Sequence, residues 1–266
     1  MNIIVCVKQV PNPEIPMGKF RIDAAANRVL PPEGIPPVIS PFDEQAVEAA
    51  LRLKEEHGGM ITAISMGPPS AQDVVKHALS MGADEGVLLQ DALFEDCDSF
   101  STAYVLSKAI EKLGQYDLIL VGRQAADWDQ GQVGSIIAEN LGIPIITFAR
   151  KIELADSRLR VERVILDGYE VIEAGMPAVV TVSSEIGQPR LPSGWGIIAA
   201  AKKQIPTWTA GDIGADASLL SATAARTELL SLFIPSREGV CEIIEGETGA
   251  EAAAKLAIRL REAKIV

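Results

Sequence analysis

An α/β fold is predicted for this 266-residue chain: an open, mostly parallel sheet with helices on both faces, an antiparallel excursion and an extended C-terminal arm. Three features predict it. Short β-branched runs alternate with helix-period segments at least four times in residues 1–150, which is the signature of parallel βαβ units. Residues 150–173 change to short strand-like pieces joined by Asp156-Ser157 and Asp167-Gly168 turns, the signature of antiparallel pairing. Residues 204–235 lose periodicity, and a last amphipathic helix is expected over 249–262.

Each element has a local reason. Residues 2–10 are apolar and β-branched and read as a buried strand, broken by Pro11, Pro13 and Pro16. Residues 19–30 hold two strand-like pieces around 24–27, and four prolines at 31, 32, 36 and 37 form a loop. Ser40 is a candidate N-cap, Pro41 suits the first helical position and Asp43 suits the first turn. Ala46, Ala49, Ala50 and Leu53 continue at helical spacing until Gly58 and Gly59. A strand over 60–66 and a Gly-Pro-Pro turn lead to Ser70, a candidate cap for a helix to Met81. A strand over 85–90, a helix from Asp98 or Ser99 to Leu113 and a strongly apolar strand over 117–122 follow, then a helix over 135–141. Residues 178–183 return to a buried strand, 184–196 read as a Gly/Pro/Ser loop, and 197–203 as a short basic helix. Two regions follow: a domain over 1–205 that includes the 184–196 loop, and an arm plus helix over 206–266.

Composition narrows the function. Lys plus Arg is 24 and Asp plus Glu is 36, a net charge of −12. Such a chain lacks the basic footprint that nucleic acid requires. Three cysteines without C-x-x-C spacing argue against a disulfide framework or a zinc site. The two histidines, His57 and His77, read as ordinary surface residues, leaving no His-based triad. No apolar run approaches the ~18 residues of a membrane span, and the N-terminus lacks signal-peptide organisation. A soluble, reducing compartment is expected: the cytoplasm, or the mitochondrial matrix in a eukaryote.

The run V-G-R-Q-A-A-D-W-D-Q-G-Q-V-G at 121–134 carries the most chemistry. It follows a buried strand and precedes a helix, whose free N–H groups and positive end suit a phosphate. Gly122, Gly131 and Gly134 permit turns and close approach. It is neither a Walker A loop nor G-x-G-x-x-G. It reads as a loop for an adenine nucleotide phosphate or as a polar loop closing a strand. Asp127 and Asp129 are a weak magnesium signal and serve equally as helix caps. Ligands of open parallel sheets sit beyond the carboxyl ends of the strands. That singles out residues 6–8, 65–67, the helix start at Ser40, and the loop from Gly122.

Several segments resemble the electron transfer flavoprotein β subunit: V-K-Q-V at 7–10, S-P-F-D-E-Q-A-V-E-A-A at 40–50, M-G-P-P at 66–69, A-L-S-M-G-A-D at 78–84, the 122–134 run, P-A-V-V-T-V at 177–182 and Q-P-R at 188–190. The match is collinear over most of residues 1–205. The resemblance implies an electron-carrier subunit that is not an enzyme, with no catalytic residue and no metal. It implies AMP bound by Cys6, by Ser40, Pro41, Phe42 and Asp43, by Met66, and by Gly122, Arg123, Gln124, Ala125, Ala126, Asp127, Trp128, Asp129, Gln130, Gly131, Gln132 and Val133. FAD would be held mainly by an absent α subunit. Electron-bifurcating relatives carry a second FAD in place of AMP. Trp128, between two carboxylates, is bulky enough to fill space that a flavin ring needs, or else points to solvent or meets the α subunit; AMP is favoured over a second FAD.

The resemblance also implies three partners: the α subunit, an acyl-CoA dehydrogenase and a downstream quinone-linked oxidoreductase. A recognition loop would span 184–196, with Ile186 as the apolar anchor and Trp195 as a second contact. A competing reading is an ATP-using α-hydrolase-like enzyme. Its phosphate loop belongs right after the first strand, where V-P-N-P-E-I-P is a poor cradle. A small stress-type nucleotide-binding protein is another, but it would be shorter and have no use for the 184–196 loop.

Overall fold

The computed structural model describes residues 1–220, 224–235 and 241–266. It divides into two compact units, Met1–Ser231 and Leu232–Val266. In chain order the elements are β1 (Asn2–Cys6), β2 (Gln9–Val10), β3 (Arg21–Asp23), β4 (Arg28–Leu30), β5 (Val38–Ile39), α1 (Pro41–His57), β6 (Met60–Met66), α2 (Gln72–Met81), β7 (Glu85–Leu89), α3 (Ser99–Leu113), β8 (Leu118–Gly122), α4 (Val133–Leu141), β9 (Ile145–Ala155), β10 (Arg158–Ile165), β11 (Gly168–Ala174), β12 (Ala178–Val182), α5 (Gly194–Lys202), β13 (Thr207–Trp208) and α6 (Gly249–Glu262).

The main sheet runs β11-β10-β9-β12-β8-β1-β6-β7-β13. Pairings from β9 through β13 in that order are parallel, and β10 and β11 add antiparallel to one edge. Alternating side chains of the central strands feed two cores. Ile3, Val5, Ile61, Ala63, Leu118, Leu120 and Val180 join the apolar faces of α1 and α2. Ile4, Ile64, Val87, Ile119, Val121 and Val179 join α3 and α4. Burial on both faces explains why these strands read as unbroken apolar runs.

Several local expectations are corrected. Ser70 does not cap α2. It lies in a one-turn 3₁₀ segment, Pro69–Ala71, and its hydroxyl donates to Gln9 Oε1 at 2.8 Å. Ser40 occupies the N-cap position of α1 but makes no side-chain capping bond, whereas Asp98 caps α3 through the N–H groups of Phe100 and Ser101. His77 is not a free surface histidine: its Nε2 lies 2.6 Å from Glu44 Oε1, bridging α2 to α1. The excursion begins earlier than its turn signals suggest. The first part of β9 is a parallel neighbour of β12 and only its second part pairs with β10. Between them Phe148 adopts φ 56°, and its N–H donates to Thr181 Oγ1 at 2.9 Å.

The 184–196 loop is shorter than expected. Ser184–Ile186 is a 3₁₀ turn, and α5 already starts at Gly194 with Ser193 Oγ accepting from Gly196 N–H. Two glycines around Trp195 suggested a loop, but Gly196 serves packing. A Cβ there would lie 2.2 Å from the carbonyl oxygen of Ser80 at the end of α2. The weakly periodic stretch after residue 204 supplies β13 to the sheet edge, and Ala210, Ile213 and Leu220 enter the second core. Parts of the expected arm, 221–223 and 236–240, lie outside the described residues. No helix among the described residues is long and apolar enough to cross a membrane.

Candidate functional site

The chain leaves β1 toward β6 and β7 on one side and returns to β8 and β12 on the other. The order therefore reverses between β1 and β8, and a crevice opens beyond their carboxyl ends. Three segments meet there: residues after Cys6, the start of α1, and the loop from Gly122.

Asp43 joins all three. It projects from the first turn of α1 and is only 7% exposed. Its Oδ2 accepts the Lys8 N–H at 2.8 Å and its Oδ1 the Gly122 N–H at 3.1 Å. Burial pushes its pKa up to about 7, against the pull of those two N–H groups and the Lys8 charge. The carboxylate is thus a brace across the crevice, with both oxygens engaged by backbone. Gly122 is required by this closeness, since a Cβ there would stand 2.4 Å from Asp43 Oδ1 and 2.8 Å from the Phe42 carbonyl carbon. Cys6 ends β1 buried, and burial followed by the Asp43 charge raises its thiol pKa. Its side chain belongs to the second core, and such burial disfavours the thiolate.

The loop after Gly122 is held by its own side chains. Arg123 N–H continues the sheet to the Val182 carbonyl at 2.9 Å. The Arg123 guanidinium lies over the Phe42 and Phe148 rings, 5.1 and 6.0 Å from their centroids. Ala125 O accepts Asp129 N–H at 2.9 Å, closing a turn in which Asp129 has φ 51° and Gly131 φ 62°. Asp129 accepts from Gln124 Nε2 at 2.9 Å, and Asp127 pairs with Lys8 Nζ at 2.7 Å. The two aspartates therefore have different partners. No group of three or more His, Cys, Asp or Glu among the described residues is arranged for a metal ion. Gln130 Oε1 accepts from Ser99 Oγ at the start of α3.

The loop delivers the chain to α4, whose N-cap Gln132 makes no side-chain capping bond. The first N–H groups of this nine-residue helix thus suit a phosphate. Gly134 lets α4 sit on the sheet, because a Cβ would lie 2.6 Å from Val121 Cγ2. Ser40 Oγ, at the start of α1, and Ser65 Oγ, near the end of β6, are buried without a hydrogen-bond partner. An orphan hydroxyl and an uncapped helix start are features that would suit an adenine nucleotide. Met66 packs half-buried on the second core. Trp128 is 47% exposed.

The two expected partner contacts separate. Ile186 is half-buried and packs against the first core, while Trp195 is 84% and Leu191 89% exposed. The 3₁₀ turn faces Ile186 inward, and no local pattern signals that. Sequence reasoning singled out residues 6–8 but gave the Lys8 side chain no role, and it missed Phe148, whose left-handed backbone has no local signature.

Fold and site together define a doubly wound α/β protein with a candidate site at its topological switch point. Comparison with known proteins narrows this. Residues 29–213 match the electron transfer flavoprotein domain. The chain is 42% identical, over the whole length of both proteins, to the electron transfer flavoprotein subunit beta of Thermoanaerobacterium thermosaccharolyticum. It is 38% identical, again over both full lengths, to the caffeyl-CoA reductase-Etf complex subunit CarD of Acetobacterium woodii. It is 35% identical to the protein FixA of Azorhizobium caulinodans, over 89% of this chain and 85% of that one. The chain belongs to the electron transfer flavoprotein family as a β subunit, an electron carrier and not an enzyme.

Proposed function

We propose that this chain pairs with an α subunit and holds an adenine nucleotide in the β1/β8 crevice, within a carrier that passes electrons between an acyl-CoA dehydrogenase-type flavoprotein and a downstream, quinone-linked oxidoreductase in the cytoplasm. The observation that supports the nucleotide assignment is the uncapped start of α4, together with a buried, unpartnered Ser40 hydroxyl at the start of α1 and Asp43 bracing Lys8 to Gly122. In this reading Lys8, through its pair with Asp127, keeps the 124–132 loop folded over the nucleotide. FAD supplies the redox chemistry, and the protein's own residues bind and orient.

AMP is the first occupant considered, its single phosphate at α4. A specific observation favours a second FAD instead. Trp128 stands half exposed, which weakens its bulk as an argument for AMP. Relatives named as subunits of CoA-reductase systems point the same way. The test is to denature the purified heterodimer and count released cofactors. One FAD plus one AMP supports the first occupant, and two FAD without AMP the second. Release of no adenine nucleotide beyond the α-held FAD would remove the crevice assignment altogether.

For docking, the exposed Leu191 and Trp195 are better anchors than Ile186. Exposed aromatic and aliphatic anchors beside a held loop are a common hot-spot arrangement.

A further inference from the structure

Helix α1 reaches the crevice at its first turn and a different structure farther along. Glu48, Arg52 and Glu55 recur at four- and three-residue spacing and share a helical stripe. Glu48 sits among Ala and Val positions and is only 4% exposed. Its Oε1 accepts Arg52 Nε at 2.8 Å and Arg190 Nη2 at 3.3 Å. Its Oε2 accepts the Arg190 N–H at 3.1 Å and Arg190 Nε at 2.8 Å. Four bonds use the full capacity of a carboxylate. Burial alone would raise the Glu48 pKa, but the Arg190 and Arg52 bonds prevail and hold it below the ordinary carboxylate range.

The arginines extend the network into the 186–190 segment. Arg52 Nη1 donates to the Ile186 carbonyl at 2.9 Å and Nη2 to the Gln188 carbonyl at 3.3 Å. Arg190 also pairs with Glu55. Residues 186 and 188 are therefore tied to α1 by Arg52, and residue 190 by Glu48 and Glu55, with the buried Glu48 carboxylate orienting both arginines. Within the segment, the Ile186 and Gly187 N–H groups close the 3₁₀ turn onto Ser183 and Ser184. A buried charge is a poor source of net stability compared with an apolar residue of the same size, and its better-attested use is to specify one arrangement. An alanine or leucine at 48 would also bury, but would release the Arg190 N–H and leave Arg52 and Arg190 without the carboxylate that orients them both.

We propose that Glu48 is a positioning residue that holds the 186–190 segment in a single conformation ready to dock the redox partner. The docking part rests on the function proposed above for this loop. A segment already ordered loses less conformational freedom on binding, so its effect falls on partner affinity and not on the electron-transfer step.

The test uses the intact heterodimer with Glu48→Gln, which keeps the side-chain shape but presents an amide N–H₂ to arginine donors. Amides of 186–190 should exchange with deuterium about tenfold faster, the scale of one lost charged hydrogen bond. The half-saturating dehydrogenase concentration should rise about tenfold, with the rate at saturation unchanged. Arg190→Lys retains the charge but not the forked geometry, and should move both readouts in the same direction by less. It carries the test alone if the Gln variant fails to assemble. Unchanged exchange at 186–190 in the assembled variants would overturn the positioning role, as would a fallen saturated rate with unaltered half-saturation. Faster exchange with unchanged half-saturation and unchanged saturated rate would support positioning by Glu48 while removing the docking reading of the loop.

Discussion

Strand β12 and helix α6 are both rich in apolar residues and have opposite fates. All five residues of β12, A-V-V-T-V, are buried. None of the fourteen residues of α6 is, and Leu256 and Ile258 remain exposed. The strand is covered on both faces by elements of its own unit. The helix is supported by local devices: Thr248 as its cap, and pairs such as Lys255–Glu251 and Arg259–Glu242. Devices of this kind are worth only tenths of a kcal/mol each to about 1 kcal/mol, and a helix of this length is marginal alone. The contrast teaches that an apolar pattern shows where cover is needed, and not which chain supplies it. In the function proposed above, the α subunit is the chain available to cover α6.

The comparison breaks most severely where the buried unit tolerates no added atom. Gly122→Ala should destabilise the Met1–Ser231 unit by about 3 kcal/mol, the upper range for overpacking, and empty the crevice. Chemical denaturation together with nucleotide content checks this. An unchanged midpoint would show that α1 and β8 do not need their close approach.

Next comes Asp43→Asn, expected to cost about 2 kcal/mol because an amide cannot accept from both Lys8 and Gly122 N–H groups. Titration sharpens this. The folded pKa of about 7 lies above the ordinary 3.8, so the folded state holds the extra proton between those values. The stability contribution is full below about pH 4, declines as pH rises toward 7 and is flat above. Unfolding midpoints across that window should lose this slope in the Asn variant. A slope identical in both proteins would place the titrating group elsewhere.

A smaller effect separates the loop residues. Ile186→Ala should lower stability by about 1–2 kcal/mol through lost packing. Trp195→Ala should leave melting unchanged and weaken dehydrogenase coupling by about 1–3 kcal/mol. The reverse pattern would restore Ile186 as the docking anchor. The smallest expected effect is on melting of the first unit when the chain ends at Ser231: under about 1 kcal/mol, as for removal of an element without buried side chains. The same truncation should abolish assembly with the α subunit, measured by size-exclusion chromatography. Retained assembly would break the comparison, since α6 would then lack the partner inferred for it.

What the sequence by itself determined follows from local physics. Period-two and period-3.6 patterns located the parallel strands and their crossover helices. Glycine positions and the helix start after the 122–132 loop singled out the candidate site. It was legible because the turns and free N–H groups that a phosphate would need lie close together in the chain. Tertiary structure alone decided the roles that depend on contacts remote in sequence. Asp43 looked like a helix-terminus charge and is a brace to residues 8 and 122. Trp128 looked like a plug and stands half in solvent. Ile186 looked exposed and packs inward, while Trp195 sits on a helix whose neighbouring glycine exists to meet α2. Glu48 looked like one more charge on a helix and gathers Arg52 and Arg190 from separate segments. Side-chain direction and burial are set by what packs opposite, and the chain's own periodicity cannot encode which distant residue that is.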